Sequence, residues 1–375
     1  MKTFGQTLEA SGGIGKGFDF LRITLAAVVV LNHSFLTVLG SYDYFEANHL
    51  WPIFGSAVPV FFALSGFLIT GSAQRLRLKD FLINRCIRIF PPLAVNSFVC
   101  ALIIGPLATT LPMHDYIFEN REFSHFFLNV IGFIHYQLPG VFTANPLPRQ
   151  VNGSLWTIPY EIGCYAIMAA MVLLGVLRSG RLMAAFCLSL SLYVYMAGPF
   201  AGLQPSLLSG TSLGNYVAGF LAERGNYLYL YFLAGCTVYI FRYSIPSSSA
   251  LAILAVAIIA LGGFHVFDAA KHFVLALPIA YLTAYLGLLS IPKLPLYSRG
   301  DYSYGVYLYS YPLQQMLILM YPGMGVATHF LGSMVLATCV AMVSWHFIEK
   351  PILSFRKKFS FTARKGDLAP APMPA

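Results

Sequence analysis

Apolar residues run along this chain in unbroken stretches of about 20, without the alternating polar beat of a half-buried strand. Such runs predict helices that cross a membrane, because about 20 apolar residues are needed to span about 30 Å of hydrocarbon. Ten are legible, at roughly residues 20–40, 51–73, 90–111, 154–177, 182–200, 227–242, 248–267, 272–291, 301–321 and 327–348. The stretch FSHFFLNVIGFIHYQL at 123–138 is apolar but short, and it carries His125 and His135. It is expected to lie at the interface or to re-enter rather than to span. A second interfacial piece is expected at 206–222. The expected fold class is therefore all-α, a polytopic membrane bundle of about ten helices.

Composition agrees with the pattern. Hydrophobic residues make up 58% and charged residues 10% of the 375, whereas a soluble domain is about one quarter charged. An ordinary soluble enzyme is thereby excluded, as is a disordered or fibrous chain. The net charge of +9 could suggest nucleic acid, but the basic residues sit in short segments between apolar runs, which is how cytoplasmic loops are marked. With a cytoplasmic N-terminus, 19 of the 23 basic residues fall on the inner side; Arg121, Arg149, Arg224 and Lys271 fall outside. Both termini are thus expected in the cytoplasm, and making 123–138 a full span would destroy the bias. The chain reads as an N-terminal segment 1–17, one membrane domain 18–353 and a basic, then Pro/Ala-rich tail 354–375, expected to be disordered. The first apolar run is too long for a cleavable signal peptide. The six cysteines form no CxxC pair and read as small buried residues rather than a metal site or disulfide framework.

Against this sparse charge, ionisable residues inside spans are functional candidates. Two stand out, His33 and Glu161, each about seven residues from the outer end of its helix. Matched depth would let the carboxylate orient the imidazole; an interhelical hydrogen bond without chemistry is the plainer alternative. Arg22 precedes His33 by eleven residue steps, about three turns and about 16 Å, so the two share a helix face. Arg85 and Arg88 share a face if their segment is helical. Pro91 and Pro92 fit a helix start, which would leave both arginines just before a positive N-terminal end suited to phosphates. A topology signal alone would also explain each arginine.

Six segments in order then carry a family resemblance: Arg22 to His33, FFALSGFLIT at 61–70, RCIRIFPP at 85–92, SLWTIPYEIGCY at 154–165, GDYSYGVYLYSYP at 300–312 and FIEKP at 347–351. Together they resemble acyltransferase family 3 of membrane proteins, over essentially residues 18–353. The resemblance implies transfer of an acyl group, most often acetyl, from cytoplasmic acyl-CoA to a hydroxyl of a saccharide or lipid-linked glycan. It implies an inner-membrane enzyme without a tightly bound cofactor or metal, working beside polysaccharide-assembly proteins and not on nucleic acid. Carried over by motif, His33 and Glu161 are the catalytic pair, and Arg22, Arg85 and Arg88 bind acyl-CoA. His33 would act as general base or as a transient acyl carrier. Two departures stand: Ser310 occupies the place of a histidine found in many members, and no fused periplasmic esterase-like domain is seen.

Other features have plainer readings. Ser65-Gly66 lacks the GxSxG context and reads as a helix-packing pair. Asn152-Gly153-Ser154 reads as a turn before a helix, Asp301 as a charge at a helix start, and Glu349-Lys350-Pro351 as a helix stop. His329 and the other histidines read as interfacial, with His125 and His135 able to line an acceptor entrance. The rival functions are a transporter or flippase, in which His33 and Glu161 would relay protons, and a scaffold subunit; no inverted repeat or paired broken helices favour a carrier.

Overall fold

The computed structural model describes residues 1–13, 15–41, 44, 48–197, 225–264, 270–291 and 300–359. Every regular element among them is helical. After a short capped helix α1 (Phe4–Ala10) come α2 (Gly17–Leu39), α3 (Trp51–Arg75), α4 (Leu78–Ala108) and α5 (Gly153–Leu173). Then follow α6 (Gly180–Ala197), α7 (Leu228–Ile240), α8 (Ser249–Leu261), α9 (Lys271–Leu288), α10 (Ser303–Met320) and α11 (Val326–Ser354). Among the described residues, six of these helices (α2, α3, α4, α5, α9 and α11) are long and apolar enough to cross a membrane. Large apolar side chains such as Leu173, Val335 and Phe347 point outward, as a surface facing lipid rather than water requires. The 206–222 piece and the end of the tail lie outside the described residues.

Glycine lets helices cross at backbone contact. A Cβ on Gly66 of α3 would meet the Phe232 carbonyl of α7 at 2.0 Å, and one on Gly235 of α7 would meet the Ala63 carbonyl of α3 at 2.0 Å. The Ser65-Gly66 pair is thus a packing site at the α3–α7 crossing, as the sequence suggests. Small residues at such crossings replace the hydrophobic drive that lipid removes.

Residues 123–138 form no helix long enough to cross a membrane. They form Arg121–Phe126, a 3-10 turn Phe127–Ile131 and extended chain, and Phe127 packs on Phe98 of α4 with ring centroids 5.2 Å apart. Asn129 closes the piece by accepting from the His135 amide at 2.7 Å and donating to its carbonyl at 2.9 Å.

Two helix boundaries differ from the sequence reading. Pro91 and Pro92 do not start a helix; α4 begins at Leu78 and runs through both. Neighbouring groups in a packed bundle can satisfy the carbonyls that lose a donor where proline lacks its N–H. Arg85 and Arg88 therefore sit within a helix, and the positive field there comes from their side chains, not from a helix N-terminus. Nor does Glu349-Lys350-Pro351 stop α11. The helix passes through a π turn, Trp345–Glu349, into Lys350–Phe359, and proline is tolerated where it begins a new turn.

Candidate functional site

The three arginines converge. Arg22 of α2 and Arg85 and Arg88 of α4 line one cavity together with Glu161 and Tyr165 of α5 and Ser303, Tyr304 and Tyr307 of α10. Val58, Phe61, Phe62, Leu64, Leu68 and Ile69 of α3 supply its apolar wall, with Ser65 among them. Cationic groups at one side and hydrocarbon along the other suit a molecule that is anionic at one end and apolar along its length.

Asp301 organises the arginines. Arg88 donates to its Oδ2 at 2.9 Å, and Arg22 approaches the same oxygen at 3.7 Å. Ser303 donates to Oδ1 at 2.6 Å, and Arg22 also lies 3.5 Å from Asp19. Without a carboxylate between them, two guanidiniums in a low-dielectric setting would repel. Arg85 is held differently, against the rings of Phe81 at 5.8 Å and Tyr165 at 5.9 Å, and among the described residues its buried Nε has no hydrogen-bond partner. Asp301 sits just before α10, as a helix-start charge does, but besides Ser303 its contacts lie across the bundle on α2 and α4.

Glu161 belongs to this cavity. Its Oε1 accepts a short hydrogen bond from Tyr165 Oη, one turn along α5. The expected His33–Glu161 pair is not formed: no hydrogen bond or ion pair joins them among the described residues. Counting from the apparent ends of two helices does not establish matched depth, because α5 opens with a 3-10 turn, Gly153–Thr157, before its α-helical part. Asn152 caps that turn, accepting from the Ser154 amide at 3.0 Å, so the expected turn before a helix is present.

His33 lies on the same unbroken helix as Arg22, about three turns on, and is 7% exposed. Its ring meets Tyr311 edge-on, with centroids 5.0 Å apart and planes at 79°. Among the described residues, its Nδ1 has no hydrogen-bond partner. Around it lies a neutral polar layer. Gln314 donates to the Val30 carbonyl and to Ser34 Oγ, each at 2.8 Å. Asn152 donates to Asn96 Oδ1 at 3.0 Å and to the Leu308 carbonyl at 2.9 Å. Ser310, in the place of the family histidine, hydrogen-bonds the Tyr307 carbonyl at 3.3 Å. His329 is fully buried rather than interfacial, with Nε2 3.0 Å from the Gln314 carbonyl. The Gln314-Gln315 pair within an apolar helix was the available signal for this layer, since amides are costly in lipid unless paired.

Away from the cavity, His125 and His135 lie with ring centroids 5.4 Å apart. Burial, then the neighbouring His125, pushes the His135 imidazole below its ordinary range. Glu349 is buried and accepts from Ser344 Oγ at 3.1 Å, which in turn lies 3.0 Å from Tyr309 Oη. The six cysteines are free.

The helical bundle, with apolar side chains facing outward, defines a membrane protein, and the arginine-lined cavity inside it suits an anionic, partly apolar molecule. The comparison with known families makes this specific: residues 16–346 match the family described as an acyltransferase domain. The chain belongs to that family, acyltransferase family 3, and is an acyltransferase. It is 28% identical over 351 residues to an "O-acetyl transferase" of Shigella phage Sf6, covering 90% of this chain and 96% of the relative. It is also 26% identical over 386 residues to "Nodulation protein 10" of Rhizobium leguminosarum bv. viciae, covering 97% and 100%. No solved structure gives a significant match.

Proposed function

We propose that this protein is an inner-membrane O-acyltransferase that moves an acetyl group from cytoplasmic acyl-CoA to a saccharide hydroxyl. The observation that carries the reading is the convergence of Arg22, Arg85 and Arg88 on one apolar-walled cavity, with His33 about 16 Å further along the helix of Arg22. The arginines would take the phosphates of acyl-CoA, and the extended thiol arm would follow α2 toward His33. There His33 would take the proton of the acceptor hydroxyl as its oxygen attacks the thioester carbonyl. The C–S bond would then break, and the CoA thiolate would leave and take up a proton. The name of the phage relative supports acetyl as the group moved. The basic-residue distribution supports ten spans with both termini in the cytoplasm.

The test is acetyl transfer from labelled acetyl-CoA by purified protein in liposomes, with glycan-bearing membrane vesicles as acceptor. His33→Ala should insert and fold yet lose about 10²-fold to 10⁴-fold in rate, the usual worth of a general base. Transfer at the wild-type rate by well-folded His33→Ala protein would sink the assignment.

A further inference from the structure

A catalytic histidine is usually oriented by a hydrogen bond from its second ring nitrogen to a carboxylate or carbonyl. Among the described residues, no hydrogen bond reaches either ring nitrogen of His33, and its Nδ1 is buried without a partner. Packing must therefore set the ring, and the edge-on contact in place is Tyr311. Tyr311 is itself 1% exposed and is fixed from outside α10. Its hydroxyl donates a short hydrogen bond to Gln150 Oε1. Its ring abuts Gly153 so closely that a Cβ there would meet Cε2 and Cζ at 2.7 Å.

Both contacts come from segment 138–153, which is strapped to the same end of the bundle. Gln315 donates to the Leu147 carbonyl at 2.9 Å and the Gln150 carbonyl at 2.8 Å, and Asn145 donates to Gln315 Oε1 at 2.9 Å. At the far end of α2, a Cβ on Gly40 would meet the Pro146 carbonyl at 2.7 Å. The segment thus lies over the end of α2 that is remote from Arg22.

We propose that Tyr311, held by Gln150 and Gly153, is the positioning residue for the His33 imidazole, and that segment 138–153 thereby sets the activity of His33 from the side opposite the arginines. The proposal rests on the reading of His33 as the base. Because it acts on the orientation of a base and not on the arginine cavity, it separates kcat from the KM for acetyl-CoA.

The experiment measures both constants in liposomes with acetyl-CoA and glycan-bearing vesicles for Tyr311→Phe, Gln150→Leu, the double variant and Gly153→Ala. Tyr311→Phe keeps the ring and loses only the hydroxyl. Each single variant should lower kcat about 10-fold with KM for acetyl-CoA unchanged, as small misplacements of a catalytic group do. The double variant should fall no further than either single, since both break one link. Gly153→Ala should fall as well, with the hydroxyl and Gln150 in place. Unchanged kcat, additive losses, or losses matched by the folded fraction in size-exclusion chromatography would overturn the proposal. His33→Gln in parallel separates the two ideas. If it retains transfer, the reading of the base fails; if it is inactive while the Tyr311 and Gln150 variants work normally, only the positioning role fails.

Discussion

Arg88 of α4 donates to Asp301 Oδ2 at 2.9 Å, and the carboxylate sits just before α10, 213 positions along the chain. This bond ties the start of α10 to α4 beside the arginine cavity and lets one acid serve Arg22 as well. Asp301→Ala should therefore lower the stability of the detergent-solubilised protein by about 2 kcal/mol, the scale of a hydrogen bond to a charged group. CoA should raise the melting temperature of this variant more than that of the wild type, because its phosphates replace the lost anion. Equal stabilisation of both proteins would show that ligand and Asp301 do not share the arginines.

Arg85 and Arg88 are predicted to separate binding from folding. Among the described residues, Arg85 has a buried Nε without a partner, and Asp301 pairs with Arg88 instead, so Arg85→Ala should weaken CoA about 10-fold to 100-fold, at about 1.5–3 kcal/mol for a charged hydrogen bond. Its melting temperature should barely move. Arg88→Ala should weaken CoA and also destabilise the fold, because Asp301 loses its donor. Calorimetric titration with CoA and thermal melts check both.

Glu161 is predicted to act with the arginines and not with His33. Glu161→Gln should change the KM for acetyl-CoA, and its effect should add to that of His33→Gln, since residues without shared partners behave additively. A double variant no worse than His33→Gln alone would restore the His–Glu pairing expected from the sequence.

The α3–α7 crossing is predicted to tolerate no side chain. Gly66→Ala places a methyl 2.0 Å from the Phe232 carbonyl and should cost about 1–3 kcal/mol, as overpacking does. The loss should appear as a lower melting temperature and less monodisperse protein, before any change in the KM of the surviving fraction.

What was legible in the sequence follows from local rules. Helix class, the absence of a long helix at 123–138 and the family depend on hydropathy, residue order and spacing. The shared helix of Arg22 and His33 depends on the α-helical period alone. These are properties of consecutive residues. Partners across the bundle are not. That Asp301 bridges Arg22 and Arg88, that Glu161 faces the arginines, and that Tyr311 meets His33 depend on helix depth, tilt and rotation, which arise only when side chains pack. The two prolines of α4 misled for the same reason. By local rules they mark a helix start, whereas within the packed bundle the helix begins earlier and continues through them. Consecutive residues suffice to specify a membrane acyltransferase and the order of its charged residues. Tertiary structure decided which of them meet, because contacts between distant segments are set by packing and not by spacing along the chain.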